Sequence, residues 1–140
     1  MKLTGLAFFV ATFLAPAAVS AAEYECTLKM KKSGGNWMGP EIYIDYDEAK
    51  GEATVIDEVI NHYNDGKRLT TTSITDNDKR VTFRYLLKLV GGSSTTIVGV
   101  AYANQKYSLT ILKPSMKAII TMKPIGYSNS WRDEGACIKK

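Results

Sequence analysis

The chain has 140 residues, 45% hydrophobic and 23% charged, a length that fits one domain and a composition that excludes collagen-like, coiled-coil and disordered proteins. Its single histidine excludes multi-histidine metal sites. Its net charge is +4. The lysines and arginines are scattered along the chain, and the chain has the features of an exported protein, so we expect no nucleic-acid partner.

Residues 1–21 have the features of a secretory signal peptide. Lys2 gives a short positive start, an apolar run extends from Leu3 to Leu14, and small residues precede a cleavage point after Ala21 or the next alanine. The apolar run is shorter than the ~20 residues of a membrane-spanning helix, and no later segment reaches that length. We therefore expect residues 22–140 to form one periplasmic or secreted domain without a transmembrane segment.

Alternation of apolar and polar residues predicts an all-β domain of about eight strands. In chain order these strands are 23–32, 41–47, 52–60, 67–75, 79–90, 95–104, 106–112 and 117–123. The links are mostly short and contain turn signals such as Asp65-Gly66, so neighbouring strands should pair in antiparallel hairpins. No stretch shows a sustained helical period with caps at both ends.

The same alternation predicts which side chains face inward. We expect one inner face to carry six residues of the strands 79–90 and 106–112, because a one-residue slip would turn all of them to solvent. These residues are Phe83, Tyr85, Leu87, Tyr107, Leu109 and Ile111. The tail 124–140 is too polar for a core strand and is expected to wrap one end, with residues 135–139 pairing briefly beside the first strand.

The two cysteines, Cys26 and Cys137, lie near the two ends of the exported domain. Cysteines of exported chains most often pair, and this bond would close a loop of 111 residues. A lipid-modified cysteine is the alternative, but it requires a cysteine at the first mature position. The sequence therefore favours a Cys26–Cys137 disulfide and a fold whose ends meet.

An antiparallel meander of eight strands can roll up and close, which removes exposed edges and brings the first and last strands together. The disulfide requires the same proximity. We therefore predict a small up-and-down β-barrel, with a two-sheet β-sandwich as the alternative. The outward positions include Lys29, Asp45 and Arg84, whereas the inward ones are apolar, which is the reverse of a membrane barrel.

Charge is distributed unequally along the chain. Residues 22–65 carry ten acidic side chains against four lysines, a net −6, and residues 66–140 carry thirteen basic against four acidic side chains, a net +9. Such an asymmetry can mark a docking surface. The interpretation that the sequence favours, however, is a solvated outer face whose two halves attract each other.

Catalytic and metal-binding patterns are weak, so we predict no enzyme, no cofactor and no metal site. His62 lies in a polar stretch before a turn, and the predicted disulfide uses both cysteines, which leaves no thiol nucleophile. Asp45 and Asp47 begin like a calcium loop, but Ala49 and Lys50 then stand where a ligand and the turn glycine belong. The same two carboxylates could serve glycoside hydrolysis, yet they point outward from a hairpin.

Gly35-Asn36-Trp37 resembles the Gly-x-Trp signature of lipocalins, which belong to the calycin barrels. The resemblance implies that Trp37 closes one barrel end and meets a base of a late strand, here Arg132 or a neighbour. It also implies a ligand inside the barrel. We expect aromatic side chains to contact that ligand: Trp37, Tyr46, Phe83, Tyr85, Tyr102 and Tyr107.

The chain ends carry a second resemblance. Four segments are similar to a group of small exported alphaproteobacterial proteins of unknown function. They are Tyr24-Glu25-Cys26, Asp45-Tyr46-Asp47, the segment 126–129 and Gly135-Ala136-Cys137. A Tyr-x-Cys start on a small barrel is also similar to periplasmic lysozyme inhibitors, which block a basic enzyme.

Together these features predict a non-enzymatic binding module that holds a small apolar or amphipathic molecule in a barrel. The alternative is a protein inhibitor of the lysozyme-inhibitor type. It would dock through the acidic hairpin 41–58.

Overall fold

The structure, a computed structural model, describes residues 21–31, 37–89 and 103–140. In these residues it contains nine strands and one short helix. In chain order they are β1 (Ala21–Lys29), β2 (Glu41–Asp47), β3 (Glu52–Ile56), α1 (Glu58–Tyr63), β4 (Leu69–Thr70), β5 (Ser73–Asp76), β6 (Arg80–Leu87), β7 (Gln105–Leu112), β8 (Lys117–Pro124) and β9 (Trp131–Lys139). The predicted all-β class is confirmed.

All nine strands belong to one antiparallel sheet with the order β4-β3-β2-β1-β9-β8-β7-β6-β5. The two edge strands, β4 and β5, are consecutive pieces of one segment. Between them the amide of Thr71 donates to the carbonyl of Ala53 at 2.9 Å, and the amide of Thr72 donates to the carbonyl of Arg84 at 2.7 Å. One segment thus connects both ends of a curled sheet, which is the predicted barrel arrangement rather than a two-sheet sandwich.

The predicted disulfide is confirmed. Cys26 of β1 and Cys137 of β9 lie directly opposite each other, with their Cα atoms 3.9 Å apart, and their sulfur atoms are bonded. The bond links positions 111 residues apart in the chain. It therefore joins the first and last strands at the centre of the sheet.

The inner face of the barrel is the hydrophobic core. All six side chains predicted to share it, from Phe83 to Ile111, are buried. Phe83 is 0% exposed, and its ring lies 5.9 Å from that of Tyr24 and 5.3 Å from that of Tyr46. The middle of the barrel is therefore filled by aromatic side chains.

The predicted strand 52–60 is wrong at its end. Asp57 terminates β3, and its Oδ1 accepts a hydrogen bond of 2.7 Å from the amide of Ile60, which caps α1. A helix of six residues is shorter than the window in which helical periodicity can be detected, so its apolar pair Val59-Ile60 resembles the end of a strand in the sequence.

The tail is only partly as predicted. Residues 135–139 pair with the first strand as expected, but they belong to a longer strand, so the tail does not simply wrap one end. Residues 131–139 form a complete strand, β9, that pairs with β1 on one side and β8 on the other. A Cβ atom added to Gly135 would lie 2.0 Å from the carbonyl oxygen of Thr27, so this position requires glycine. The inward residues Asp133 and Gly135 are not apolar, which is why the alternation was missed.

Other strand bounds differ less. The predicted strand 41–47 coincides with β2, whereas the predicted strand 67–75 is divided between β4 and β5. Most of the predicted strand 95–104, the predicted signal peptide up to residue 20 and Tyr102 lie outside the described residues. The predicted cleavage after Ala21 falls at the start of β1, where Ala22 pairs with Tyr46.

Candidate functional site

The two ends of the barrel differ in their connections. At one end, residues 48–51, 77–79 and 113–116 form short turns. At the other end, longer connections cover 57–68 and 125–130, and the chain also passes there from β1 to β2 and from β6 to β7. We call this second end the long-loop end. Long connections carried by a rigid sheet are where binding residues are most often found.

Aromatic side chains gather at the long-loop end. Tyr85 of β6 and Tyr107 of β7 are direct neighbours, and their rings stack with centroids 4.9 Å apart and an angle of 7°. The Tyr107 hydroxyl donates to the carbonyl of Trp37 at 2.6 Å, and the Trp37 ring stacks on Tyr63 of α1 at 5.7 Å. These contacts fix α1 and the segment before β2 against β6 and β7.

Three buried side-chain oxygens have no hydrogen-bond partner in the part of the chain that the structure describes. They are Oη of Tyr85, Oε1 of Gln105 and Oδ2 of Asp133, in side chains that are 1%, 4% and 1% exposed. The residues belong to β6, β7 and β9, in the halves of these strands nearest the long-loop end. A buried polar atom without a partner costs roughly 1–3 kcal/mol, so each of the three calls for an explanation.

The remaining polar atoms of these side chains are held in place. Gln105 Nε2 donates to the carbonyl of Ala103 at 3.0 Å, and Asp133 Oδ1 accepts from the amide of Lys31 at 3.3 Å. Gln105 Oε1 is an acceptor, a carboxylate oxygen such as Asp133 Oδ2 is an acceptor, and the Tyr85 hydroxyl can act as either. A group that satisfies Gln105 Oε1 or Asp133 Oδ2 must therefore donate a hydrogen bond.

A buried carboxyl lies beside the aromatic pair. Asp57 is 4% exposed, and its carboxylate accepts from the amides of Ile60 and Gly39. Burial raises the pKa of Asp57, and the hydrogen bonds from backbone amides oppose this effect. Burial also raises the pKa of Tyr85 and of Tyr107, and the negative charge of Asp57 adds to both shifts, so both hydroxyls stay protonated at neutral pH.

The structure brings together only part of the predicted ligand-contact set. Trp37, Tyr85 and Tyr107 lie at the long-loop end, whereas Phe83 fills the middle of the barrel. Tyr46 lies near the short turns, where its hydroxyl donates to Asp76 at 3.2 Å and burial raises its pKa to about 12. Arg132, the base predicted to meet Trp37, is exposed on the outer face and its Nη2 contacts Glu134 at 3.0 Å.

Sequence reasoning missed Gln105 and Asp133. Gln105 lies two residues before Tyr107 and faces inward like Tyr107, Leu109 and Ile111. Its polar side chain at an inward position is a signal for a functional residue. Asp133 lies in the tail that had been excluded from the core. A polar residue at an inward position of an apolar alternation is the signal that would have identified both.

The residues considered for catalysis and metal binding are dispersed. His62 is exposed on α1, and its ring lies 4.6 Å from that of Tyr63. Asp45, Asp47 and Glu48 form ion pairs with Arg68 (3.2 Å), Lys50 (3.7 Å) and Lys139 (2.8 Å). Within the described ranges no group of three or more His, Cys, Asp or Glu side chains is placed to hold a metal ion.

Comparisons with known protein families, with curated proteins and with solved structures found no match for this chain. The resemblances to lipocalins, to the alphaproteobacterial group and to lysozyme inhibitors therefore stay predictions. No helix in the residues that the structure describes is long and apolar enough to cross a membrane.

Proposed function

We propose that this protein is a non-enzymatic binding module that holds a small amphipathic ligand at the long-loop end of its barrel. The observation that carries the proposal is the group of three buried oxygens without partners, Tyr85 Oη, Gln105 Oε1 and Asp133 Oδ2. A hydroxyl or amino group of a ligand that reaches one of these oxygens would donate to it and remove the energetic cost of leaving it unpaired.

The packing of the barrel supports a ligand at the end rather than along the whole axis. The side chains of Phe83, Leu109 and Ile111 are fully buried and fill the interior of the barrel below the long-loop end. Trp37 is only half-buried and stacks on Tyr63, which is 40% exposed. Flat aromatic surfaces of this kind would contact the apolar part of the ligand.

The disulfide supports the proposed location. An intramolecular disulfide is typical of proteins outside the reducing cytoplasm. We propose that residues 1–21 direct export and that the domain acts in the periplasm or outside the cell. No thiol and no imidazole lies among the site residues named above, which supports binding rather than nucleophilic catalysis.

A titration with three probes that share one apolar chain tests the proposal. Dodecylamine, dodecanol and dodecanoate are added below their micelle concentrations while tryptophan fluorescence is recorded. Trp37 and Trp131 both lie at the long-loop end, so binding there should change the emission saturably. A flat response to all three probes would contradict the proposal.

Matched tyrosine variants localise that binding. Tyr85→Phe removes a hydroxyl at the proposed site and should weaken binding of a hydrogen-bond-donating probe about 10-fold, the effect of one hydrogen bond of about 1.4 kcal/mol. Tyr43→Phe removes a hydroxyl that is exposed on the outer face and contacts Glu41, so it should change nothing. Equal effects of the two variants would argue against the site.

A depression of about 300 Å³ favours a protein inhibitor as the second candidate function. It lies between the hairpin 41–58 and α1, and Glu41, Tyr43 and Glu58 are among its lining residues. Acidic and aromatic side chains together suit a basic protein partner. If a target such as lysozyme binds here, inhibition should be salt-sensitive and should weaken when the lining acids Glu41 and Glu58 are neutralised.

A further inference from the structure

The outer face of the barrel is divided into two walls of opposite charge. The outward positions of β1, β2 and β3 form an acidic wall that contains Glu23, Glu25, Glu41, Asp45 and Glu52. The outward positions of β6, β7 and β8 form a basic wall that contains Arg80, Arg84, Lys106, Lys117 and Lys123. Because these strands lie in separate parts of the sheet order, the charge asymmetry of the sequence becomes an asymmetry in space.

Ion pairs compensate the acidic wall. Asp45 pairs with Arg68 at 3.2 Å, and Glu25 pairs with Lys140. Two more acids at the β2–β3 turn pair with Lys50 and Lys139. The bases of residues 66–140 thus neutralise part of the acidic charge of residues 22–65, as expected for two halves that attract each other.

Most of the basic wall lacks this compensation, although Lys117 pairs with Glu134 at 2.8 Å. Among the residues that the structure describes, Arg84, Lys106 and Lys123 take part in no ion pair, although all three are exposed. Lys106 of β7 lies directly opposite Lys123 of β8, and like charges in this position are destabilising. Arg84 of β6 is the diagonal neighbour of Lys106. The fold holds three uncompensated positive charges close together at a cost to its own stability.

The spacing of these bases indicates the form of their partner. Adjacent strands of a sheet lie roughly 4.8 Å apart, so the three side chains extend in a row across three strands instead of converging on one point. One small anion cannot contact all of them, whereas an extended anionic surface can. Half-buried Leu86 and Ile119 lie among the bases and add apolar contact.

We propose that the basic wall docks onto an anionic lipid surface. The phosphate groups of such a surface complement a row of exposed bases, and each lysine or arginine near an anionic membrane strengthens binding by roughly a factor of five. The proposal uses a different surface from the long-loop end and does not depend on the proposed function.

Vesicles of phosphatidylglycerol and of phosphatidylcholine test the proposal in a sedimentation assay with the full mature protein. The wild type should bind the anionic vesicles and not the neutral ones, and binding should fall steeply as salt rises from about 0.05 M to about 0.5 M. The triple variant Arg84→Gln, Lys106→Gln, Lys123→Gln should bind about 100-fold more weakly, which is three factors of five.

The matched control is the triple variant Lys31→Gln, Lys50→Gln, Lys67→Gln, which removes the same charge from exposed lysines outside the wall. It should keep most of the binding. Equal losses in both triple variants would overturn the proposal, because net charge alone would then explain the result. If the first variant does not fold by circular dichroism, the single reversals Lys106→Glu and Lys50→Glu give the same comparison.

Competitors distinguish other partners of the basic wall. Inorganic phosphate at about 5 mM should not release the protein from anionic vesicles beyond its effect on ionic strength. Release by phosphate alone would assign the wall to a small anion. Tighter binding to poly-glutamate than to the vesicles would assign it to an acidic protein, and either result would overturn the lipid proposal.

Discussion

Cys26 and Cys137 are direct partners across β1 and β9, the strand pair that joins the first hairpins of the sheet to the last ones. Their bond therefore lies at the middle of the sheet order, with four strands on the side of β9 beyond the pair and three on the side of β1. Losing it would affect both halves of the barrel at once.

We predict that the double variant Cys26→Ser, Cys137→Ser lowers the free energy of unfolding by roughly 2–5 kcal/mol. The bond closes a loop of 111 residues, so its removal gives the unfolded chain much more freedom. Urea unfolding of the variant and of the oxidised wild type measures the difference. Mass spectrometry of unreduced, proteolysed protein should show the linked peptide pair, and two free thiols would contradict the account.

Much of the fold was predictable because the alternation of β1, β2, β6, β7 and β8 is regular and their inner faces are apolar. β9 was not predictable in this way, since Asp133 and Gly135 occupy inward positions. Gly135 is required by the approach of the Thr27 carbonyl from the neighbouring strand, a contact that no local pattern records. The sequence predicts one strand over 67–75, because the exchange of partners at Thr71 and Thr72 depends on barrel closure and leaves no local pattern.

The candidate site was less predictable than the fold. Its aromatic members were found from their residue type, but Tyr46 and Phe83 proved to lie elsewhere in the core. Asp57 and Gln105 acquire their roles only when α1 and β7 are brought to the same end. Such long-range proximity is set by the topology and not by spacing along the chain.

Two tyrosines that stack on each other should respond oppositely to loss of their hydroxyl groups. Tyr85→Phe removes a buried hydroxyl without a partner and should raise the free energy of unfolding by about 1 kcal/mol. Tyr107→Phe removes the donor to the Trp37 carbonyl and should lower it by about 1–2 kcal/mol. Urea unfolding of both variants without ligand gives the two signs, and a destabilised Tyr85→Phe would mean that its hydroxyl is paired.

Phe83 reports on whether the middle of the barrel is filled. The side chain is 0% exposed and contacts the rings of Tyr24 and Tyr46. Phe83→Ala should therefore lower the free energy of unfolding by ~3–5 kcal/mol. A loss below about 1 kcal/mol would show that Phe83 lines a cavity, and the ligand site would then extend to the middle of the barrel.

Asp57 should make the stability pH-dependent in a defined direction. Burial raises its pKa in the folded state above the ordinary value of 3.8, so the folded state binds the proton more tightly than the unfolded state. The contribution of this group is then full below pH 3.8 and is lost as the pH rises through the folded pKa. Asp57→Asn keeps a capping side chain and removes the titration.

The comparison of wild type with Asp57→Asn is made by urea unfolding from about pH 3 to about pH 7. The variant should gain stability relative to the wild type as the pH rises. A difference that stays constant over this range, or that changes in the other direction, would contradict a raised pKa.

The central claim, a ligand at the long-loop end, is tested most directly by NMR of methionine methyl groups during a titration with dodecylamine. Met38 and Met122 are buried near this end, whereas Met116 lies in a turn at the opposite end. The account predicts saturable shifts of the Met38 and Met122 signals and an unchanged Met116 signal. Shifts confined to Met116, or none at any of the three methyl groups, would contradict it.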